Sequence, residues 1–505
     1  MMNTQDKLRN PHLLERIVTD QIAASWIKDG MTLGLSGFTR AGDAKAVPTA
    51  LVERAKAEPM KVNVFTGASL GSDIDKKMAE VDLVNKRLPF QVDKTMRNKI
   101  NTGQMWFIDQ HLSHTAEALR QEVFGEIDFA IIEAIAITED NRIIPTTSVG
   151  NSAAFVNHAK EVIVEINTAQ PAALEGMHDI YELGEQGSRV PIPLTDSSDR
   201  IGETGIAVDP DKIRGIVFTN QEDSPSTVTP PDEDTEKIAN HLISFLEKEN
   251  DEGRLPKTLA PLQSGIGTVA NAVFSGLKNS RFTDLEVYSE VLQDSVFDLL
   301  DAGKVKMASG CSITLSEDKM NDVFPRLDDY KDRLVLRAQE LSNHPEVIRR
   351  LGLISINTAV EADIYGNVNS THVQGTKMMN GIGGSGDFAR NARLGIFVTK
   401  SIAKNGDISS IVPFVSHVDH TEHDVDVLIT EHGLADLRGL APKERAKEII
   451  TNCADPLYKE QLLSYFERAI EQVGGHTPHL LQEAFAWYKN FDEHGTMRER
   501  ELVMN

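Results

Sequence analysis

An α/β architecture of two similar open halves is the fold that this sequence predicts. Short apolar runs alternate with segments of helical periodicity along the chain, the rhythm of parallel sheets flanked by helices. A stretch of acids and prolines divides the chain in two. Pieces of the first half also recur in the second at a constant offset.

In the first half, 1–220, residues 17–28 carry apolar side chains at helical spacing. Residues 31–35 form a short strand-like run, 36–42 a loop, 48–57 a helical pattern and 61–65 the next strand. Residues 221–236 read QEDSPSTVTPPDEDTE; three prolines and six acids make this a linker and not a core element. The second half, 237–505, repeats the rhythm with a loop at 263–267, a helix over 269–277, a strand at 285–288 and helices from 456 to 505. Ser152-Ala-Ala-Phe155 lies over Ser385-Gly-Asp-Phe388, Ala159-Lys160 over Ala392-Arg393, and Val162-Ile-Val164 over Gly395-Ile-Phe397. Ser36-Gly37 lies over Ser264-Gly265 at nearly the same offset. Two related halves leave a cleft, where ligands generally bind, so the active site is expected between them.

The 505 residues are too many for one core. A net charge of −24 argues against nucleic acid and against an anionic membrane surface, since both ask for a basic face. No run of about 18 apolar residues exists to span a bilayer. Cys311 and Cys453, far apart in sequence, provide no disulfide framework or zinc motif and suit a reducing compartment. Residues 1–16 lack the apolar core of a signal peptide, so the expected location is the cytoplasm.

Four groups of residues suit chemistry. Gly265-Ile266-Gly267-Thr-Val-Ala270 is a GxGxxA loop ahead of a helix, and Glu290 lies 23 residues beyond Gly267, at the end of a strand. That layout imitates a dinucleotide fingerprint and keeps an NAD-dependent dehydrogenase in play, although residues 260–264 do not read as the apolar strand it requires. Asn380-Gly-Ile-Gly-Gly-Ser-Gly-Asp387 holds four glycines in eight residues, more than one turn needs. This density suits a backbone that approaches a ligand or offers N–H groups to an oxyanion. No GK[ST] follows, so it is not a P-loop. Glu431-His432-Gly433 follows the apolar run 425–429, which puts a carboxylate at a strand's carboxyl end; a solvated loop acid is the plainer alternative. His417, His420 and His423 alternate with acids, but their spacing fits neither a strand face nor a helical pair, which favours a polar loop over a metal site.

Together, Ser289-Glu-Val-Leu-Gln-Asp294, QSGIGTVANAV from Gln263 and GIGGSGDFARNA from Gly381 resemble the acetyl-CoA hydrolase/transferase family, in particular the succinyl-CoA:acetate members of the family I CoA-transferases. Further matching pieces are Ser342-Asn343-His-Pro-Glu346, Ile354-Ser-Ile-Asn-Thr358 and Thr430-Glu-His-Gly-Leu-Ala-Asp-Leu-Arg438. The resemblance implies a nucleophilic Glu290 that becomes a glutamyl-CoA thioester, an oxyanion donor at Gly384, and polar neighbours Asn343 and Glu431. It also implies contacts to coenzyme A and the acyl group from Gly265, Ile266 and Gly267, and contacts to coenzyme A from Asn380 and Lys404. A homodimer, acyl-CoA and small carboxylates such as acetate and succinate as substrates, and no permanently bound cofactor or metal complete the implied picture.

A carboxylate is ionised at neutral pH and needs no general base to attack a thioester. The expected activity is therefore exchange of CoA between acetyl-CoA or succinyl-CoA and the opposite free acid. An acyl-CoA hydrolase using the same glutamate, the dehydrogenase, and a non-catalytic ligand sensor are the alternatives.

Overall fold

Helix–strand alternation survives into the computed structural model of the protein, which describes residues 4–227 and 229–498. Residues 1–3, Val228 of the expected linker and 499–505 of the expected terminal helices lie outside the described residues. The chain forms two compact units. One comprises Met1–Val228, Thr283–Leu351 and Asn380–Asp387; the other comprises Thr229–Phe282, Gly352–Met379 and Phe388–Asn505. The units thus interleave along the chain, where the sequence suggested one cut at 221–236, and Glu290 belongs to the first.

In the first unit, strands Ile213–Thr219, Ala159–Asn167, Ile127–Ile137, Thr32–Leu35, Val62–Phe65, Val84–Leu88 and Trp106–Phe107 lie side by side, all parallel. Ile127–Ile137 is buried along nearly its whole length, as expected of a central strand covered on both faces. A second parallel group, Leu285–Tyr288, Val305–Gly310, Leu334–Arg337 and His178–Asp179, explains the interleaving. The segment after Thr283 pairs with a strand from the chain's first 200 residues, and its Ile313 N–H and Cys311 carbonyl bond to Thr147 and Val149. In the second unit Leu262–Ser264, Ile354–Thr358, Leu394–Val398 and Val427–Thr430 run parallel, with Gly433–Asp436 antiparallel at the edge.

The repeated pieces occupy like positions. Ser152–His158 and Ser385–Asn391 are both seven-residue helices that lead into a parallel strand. Ser36-Gly37 and Gly265 both follow short parallel strands. The early elements fall close to expectation, as Asp20–Ser25, Thr32–Leu35, Ala46–Ala57 and Val62–Phe65. Helices Pro456–Gln472 and Ala486–His494 occupy the terminal stretch.

Two expectations need correcting. Residues 262–264 are a parallel strand and not loop, because Leu262 and Gln263 are buried and the Gln263 amide is matched by Asn357 and the Ile356 N–H. The predicted linker also contributes to the core of the first unit. Asp223 is buried and binds the Gly42 N–H, the Thr147 hydroxyl and Lys45 Nζ at 2.9 Å.

Lys45 is the hub of a buried cluster of acids. Its ammonium reaches Glu133 at 2.6 Å and Asp223 at 2.9 Å, with Asp43 at 3.9 Å. Glu165 caps the helix that starts beside it, accepting from the N–H groups of Lys45, Ala46 and Val47. Burial holds the Glu133 and Asp43 carboxyls above their ordinary range, so one ammonium neutralises what charge remains. Removing one partner of such a cluster strands buried charge. Lys45→Met is expected to destabilise the protein by about 3–5 kcal/mol in equilibrium denaturation; a loss below about 1 kcal/mol would show that the acids are neutral without it.

Candidate active site

Glu290 emerges where a strand ends. Leu285–Tyr288 carries it to the carboxyl edge of its parallel group, the position at which open α/β sheets place ligands. Its carbonyl accepts from the N–H groups of Cys311 at 2.6 Å and Ser312 at 3.0 Å, so the backbone is pinned and only the side chain is free to move. Glycine is required at 310: a Cβ there would sit 2.9 Å from Leu292 Cγ and 3.2 Å from the Glu290 carbonyl oxygen.

Asn343 follows the helical turn Gln339–Ser342, which the Tyr288 hydroxyl ties to the strand leading to Glu290 by donating to the Leu341 carbonyl at 3.0 Å. The Asn343 amide is fully buried and donates to Glu290 Oε1 at 2.7 Å and to Asp387 Oδ2 at 3.3 Å. The glycine loop closes over the same carboxylate. A Cβ on Gly384 would overlap Glu290 Oε1 and lie 2.5 Å from Asn343 Nδ2, so only glycine permits this approach.

The loop is clamped from behind. Asp109 accepts from the Ile382 N–H at 2.8 Å, and Ser113 donates to Asp387 from its N–H at 3.0 Å and its hydroxyl at 2.6 Å. Gly381 packs against Pro89 and Phe90, and Gly386 against the His111 ring. Each contact would be blocked by a side chain, which accounts for the glycine density. Apolar residues Phe38, Ala68, Leu112, Val291 and Cys311, with Phe90, cluster beside this assembly. Burial pushes the Glu290 carboxyl up to about 7; the Asn343 amide pulls it down and the Asp387 charge adds to the rise. Burial also pushes Asp387 up to about 6, against the donors on Ser113 and Asn343.

Residues 1–217 match the family model described as the acetyl-CoA hydrolase/transferase N-terminal domain, and 320–466 the corresponding C-terminal domain. The sequence is 51% identical over 497 residues to a succinyl-CoA:acetate CoA-transferase of Clostridium kluyveri, spanning 98% of this chain and 92% of that protein. The chain belongs to the acetyl-CoA hydrolase/transferase family. It is also 45% identical over 511 residues to an acetyl-CoA hydrolase of Schizosaccharomyces pombe, covering 97% of this chain and 98% of the relative. In fold it is similar to RipA from Yersinia pestis, with a TM-score of 0.69, 21% identity, and coverage of 89% of this chain and 96% of that one.

Within this acetyl-CoA hydrolase/transferase family chain, the structure brings together Glu290, Asn343 and Gly384 in the first unit, with Asn380 at the start of the same glycine loop, its amide donating to the Gly381 carbonyl at 2.9 Å. The other expected site residues lie in the second unit. Gly265 follows its strand and donates to the Ile356 carbonyl at 2.9 Å, Ile266 is 47% exposed, and Gly267 adopts a φ of 119° just ahead of helix Thr268–Asn279. Lys404 sits exposed at a left-handed φ of 49°, its ammonium 4.8 Å from the centre of the Phe491 ring. Glu431 is buried rather than solvated, because Ser401 satisfies it through its N–H at 2.8 Å and its hydroxyl. Glu431, His432 and Asp455 come within 4.8 Å of one another. Here Ser401 holds both Glu431 oxygens, while His432 and the Leu457 N–H hold Asp455. The three loop histidines go separate ways: His420 contacts Ser370, His417 stacks on His372 with centroids 3.8 Å apart, and His423 lies in a short turn. Among the described residues, no helix is long and apolar enough to cross a membrane.

Ser113, Asp109 and Asp387 were not singled out by sequence. Asp387 closes the glycine loop and offered a signal; Ser113 lies in a segment without any motif.

A carboxylate held near pH 7 has a kinetic signature. For a reaction that needs ionised Glu290, kcat/KM is expected to rise about tenfold per pH unit below about 7 and to level off above it. A profile flat down to about pH 5 would show that Glu290 titrates in the ordinary carboxylate range.

Proposed function

We propose that this enzyme transfers coenzyme A between acetyl-CoA or succinyl-CoA and the opposite free acid, with Glu290 as the nucleophile. The observation that carries the proposal is a half-buried carboxylate, raised by its surroundings, that meets an amide donor and a glycine backbone at close range. A Glu290 oxygen attacks the thioester carbonyl, the C–S bond breaks, and CoA leaves as thiolate from a mixed anhydride. The thiolate then attacks the glutamyl carbonyl, and the first acid leaves as carboxylate from the glutamyl-CoA thioester. The acceptor acid runs the same steps in reverse. Each addition generates an oxyanion, which the Gly384 N–H and the Asn343 amide are suited to receive.

The substrates are small carboxylates and their CoA thioesters, as the name of the Clostridium kluyveri relative suggests. In the second unit we assign Lys404 and the Gly265-Ile266-Gly267 loop to coenzyme A, and Glu431 to a polar supporting role; Asn380 is a further coenzyme A contact. The reading also includes a homodimer in the cytoplasm and no resident cofactor.

Hydrolysis by the same glutamate is the second reading, favoured by the name of the Schizosaccharomyces pombe relative. There water, in place of an acceptor acid, takes the acyl or glutamyl carbonyl. Comparing free CoA release from acetyl-CoA with and without succinate separates the two. Transfer predicts succinyl-CoA as the main product once succinate is present; CoA release at an unchanged rate, with no new thioester, means hydrolysis.

A further inference from the structure

The Asn343 amide faces two carboxyl groups, and the second has no part in the reaction just described. Its nitrogen lies 2.7 Å from Glu290 Oε1 and 3.3 Å from Asp387 Oδ2. Asp387 is 4% exposed and is fixed by both donors of Ser113, the N–H at 3.0 Å and the hydroxyl at 2.6 Å. A primary amide can sit either way round, presenting its NH2 or its oxygen to a neighbour. An ionised carboxylate is an acceptor only and admits only the NH2. Ionised Glu290 asks for the same face, so Asp387 is the acceptor that keeps the NH2 in place once Glu290 is no longer a carboxylate, and the second amide proton points at Glu290.

We propose that Ser113 and Asp387 are a positioning pair that locks the Asn343 amide with its N–H toward Glu290. The inference rests on the reading of Glu290 as the nucleophile. Glu290 passes from carboxylate to anhydride to thioester, and in the last two its remaining oxygen is a carbonyl oxygen. When thiolate or carboxylate attacks that carbon, negative charge develops on this oxygen, where a preorganised N–H stabilises it. A reversed amide would set its own oxygen against the charge. The pair also joins two remote pieces of chain to the nucleophile, since Ser113 and Asp387 are 274 residues apart. Titratable groups near the pair include His111, whose ring packs against Gly386, His114, and the buried Cys311 thiol beside Glu290.

The test is single-turnover acylation of Glu290 by acetyl-CoA in the full-length protein, with amplitude and rate constant read separately. Asp387→Asn and Asp387→Ala are expected to slow the step about 10–100-fold at unchanged amplitude, with KM for acetyl-CoA within about threefold. Ser113→Ala keeps the backbone donor and is expected to slow it about fivefold, with Ser113→Thr restoring the rate. Wild-type rate constants in Ser113→Ala and Asp387→Asn would overturn the proposal. So would a reduced amplitude at a wild-type rate constant, the mark of a purely structural role. If Asp387→Ala fails to fold, the two serine variants carry the test. Failure of the nucleophile reading is recognised separately, because wild-type protein would then form no adduct on Glu290.

Discussion

Glu290→Ala is expected to lower CoA exchange by about ten-thousandfold while acyl-CoA binding changes only a few-fold. No other carboxylate takes over: Asp387, which shares the Asn343 amide with Glu290, is held by both donors of Ser113. Asn343 loses one of its two carboxylate partners and keeps Asp387, and the backbone at residue 290 stays pinned through bonds to Cys311 and Ser312, so the fold survives. Steady-state exchange assays together with acetyl-CoA titration check the split. A Glu290→Ala variant that exchanges CoA within about tenfold of the wild type would remove the covalent route.

The second large effect is expected from a single methyl group. In Gly384→Ala the new Cβ overlaps Glu290 Oε1 and approaches Asn343 Nδ2 at 2.5 Å, so the Glu290 carboxylate, the amide or the loop must shift. The loop yields poorly, because Asp109 and Ser113 hold it from behind. Displacing the proposed nucleophile by about an ångström and spoiling a proposed oxyanion donor is expected to cost about 100- to 1,000-fold in kcat. Global stability changes little by comparison, and thermal unfolding of the variant checks this. Activity within about threefold of wild type would mean that the loop is far softer than its contacts imply.

The alternation of strands and helices was legible because buried parallel strands and amphipathic helices impose different periods on the same chain. Glu290 and the glycine loop were legible because a carboxylate at a strand end and four glycines in eight residues are costly without a task. The interleaved units were not, since the pairing of Leu336 with His178 joins segments remote in sequence and leaves no local trace. The strand at 262–264 was hidden by Gln263, whose polarity is cancelled by Asn357, a partner that sequence cannot display. Asp223 was hidden in the same way. It sits in a stretch with the composition of a linker, and only the fold reveals Lys45 beside it. Glu431 read more plainly as a solvated loop acid until Ser401 supplied its donors. Polar residues that act inside a structure are recognised by their partners, and those partners are remote.

The most direct test of the central claim is to incubate the protein with acetyl-CoA alone, reduce with borohydride, and map the peptides by mass. Covalent catalysis predicts reduction of the Glu290 side chain to the corresponding alcohol, absent in the Glu290→Ala variant. Consumption of acetyl-CoA with an unmodified Glu290 would contradict it and point to direct attack by water.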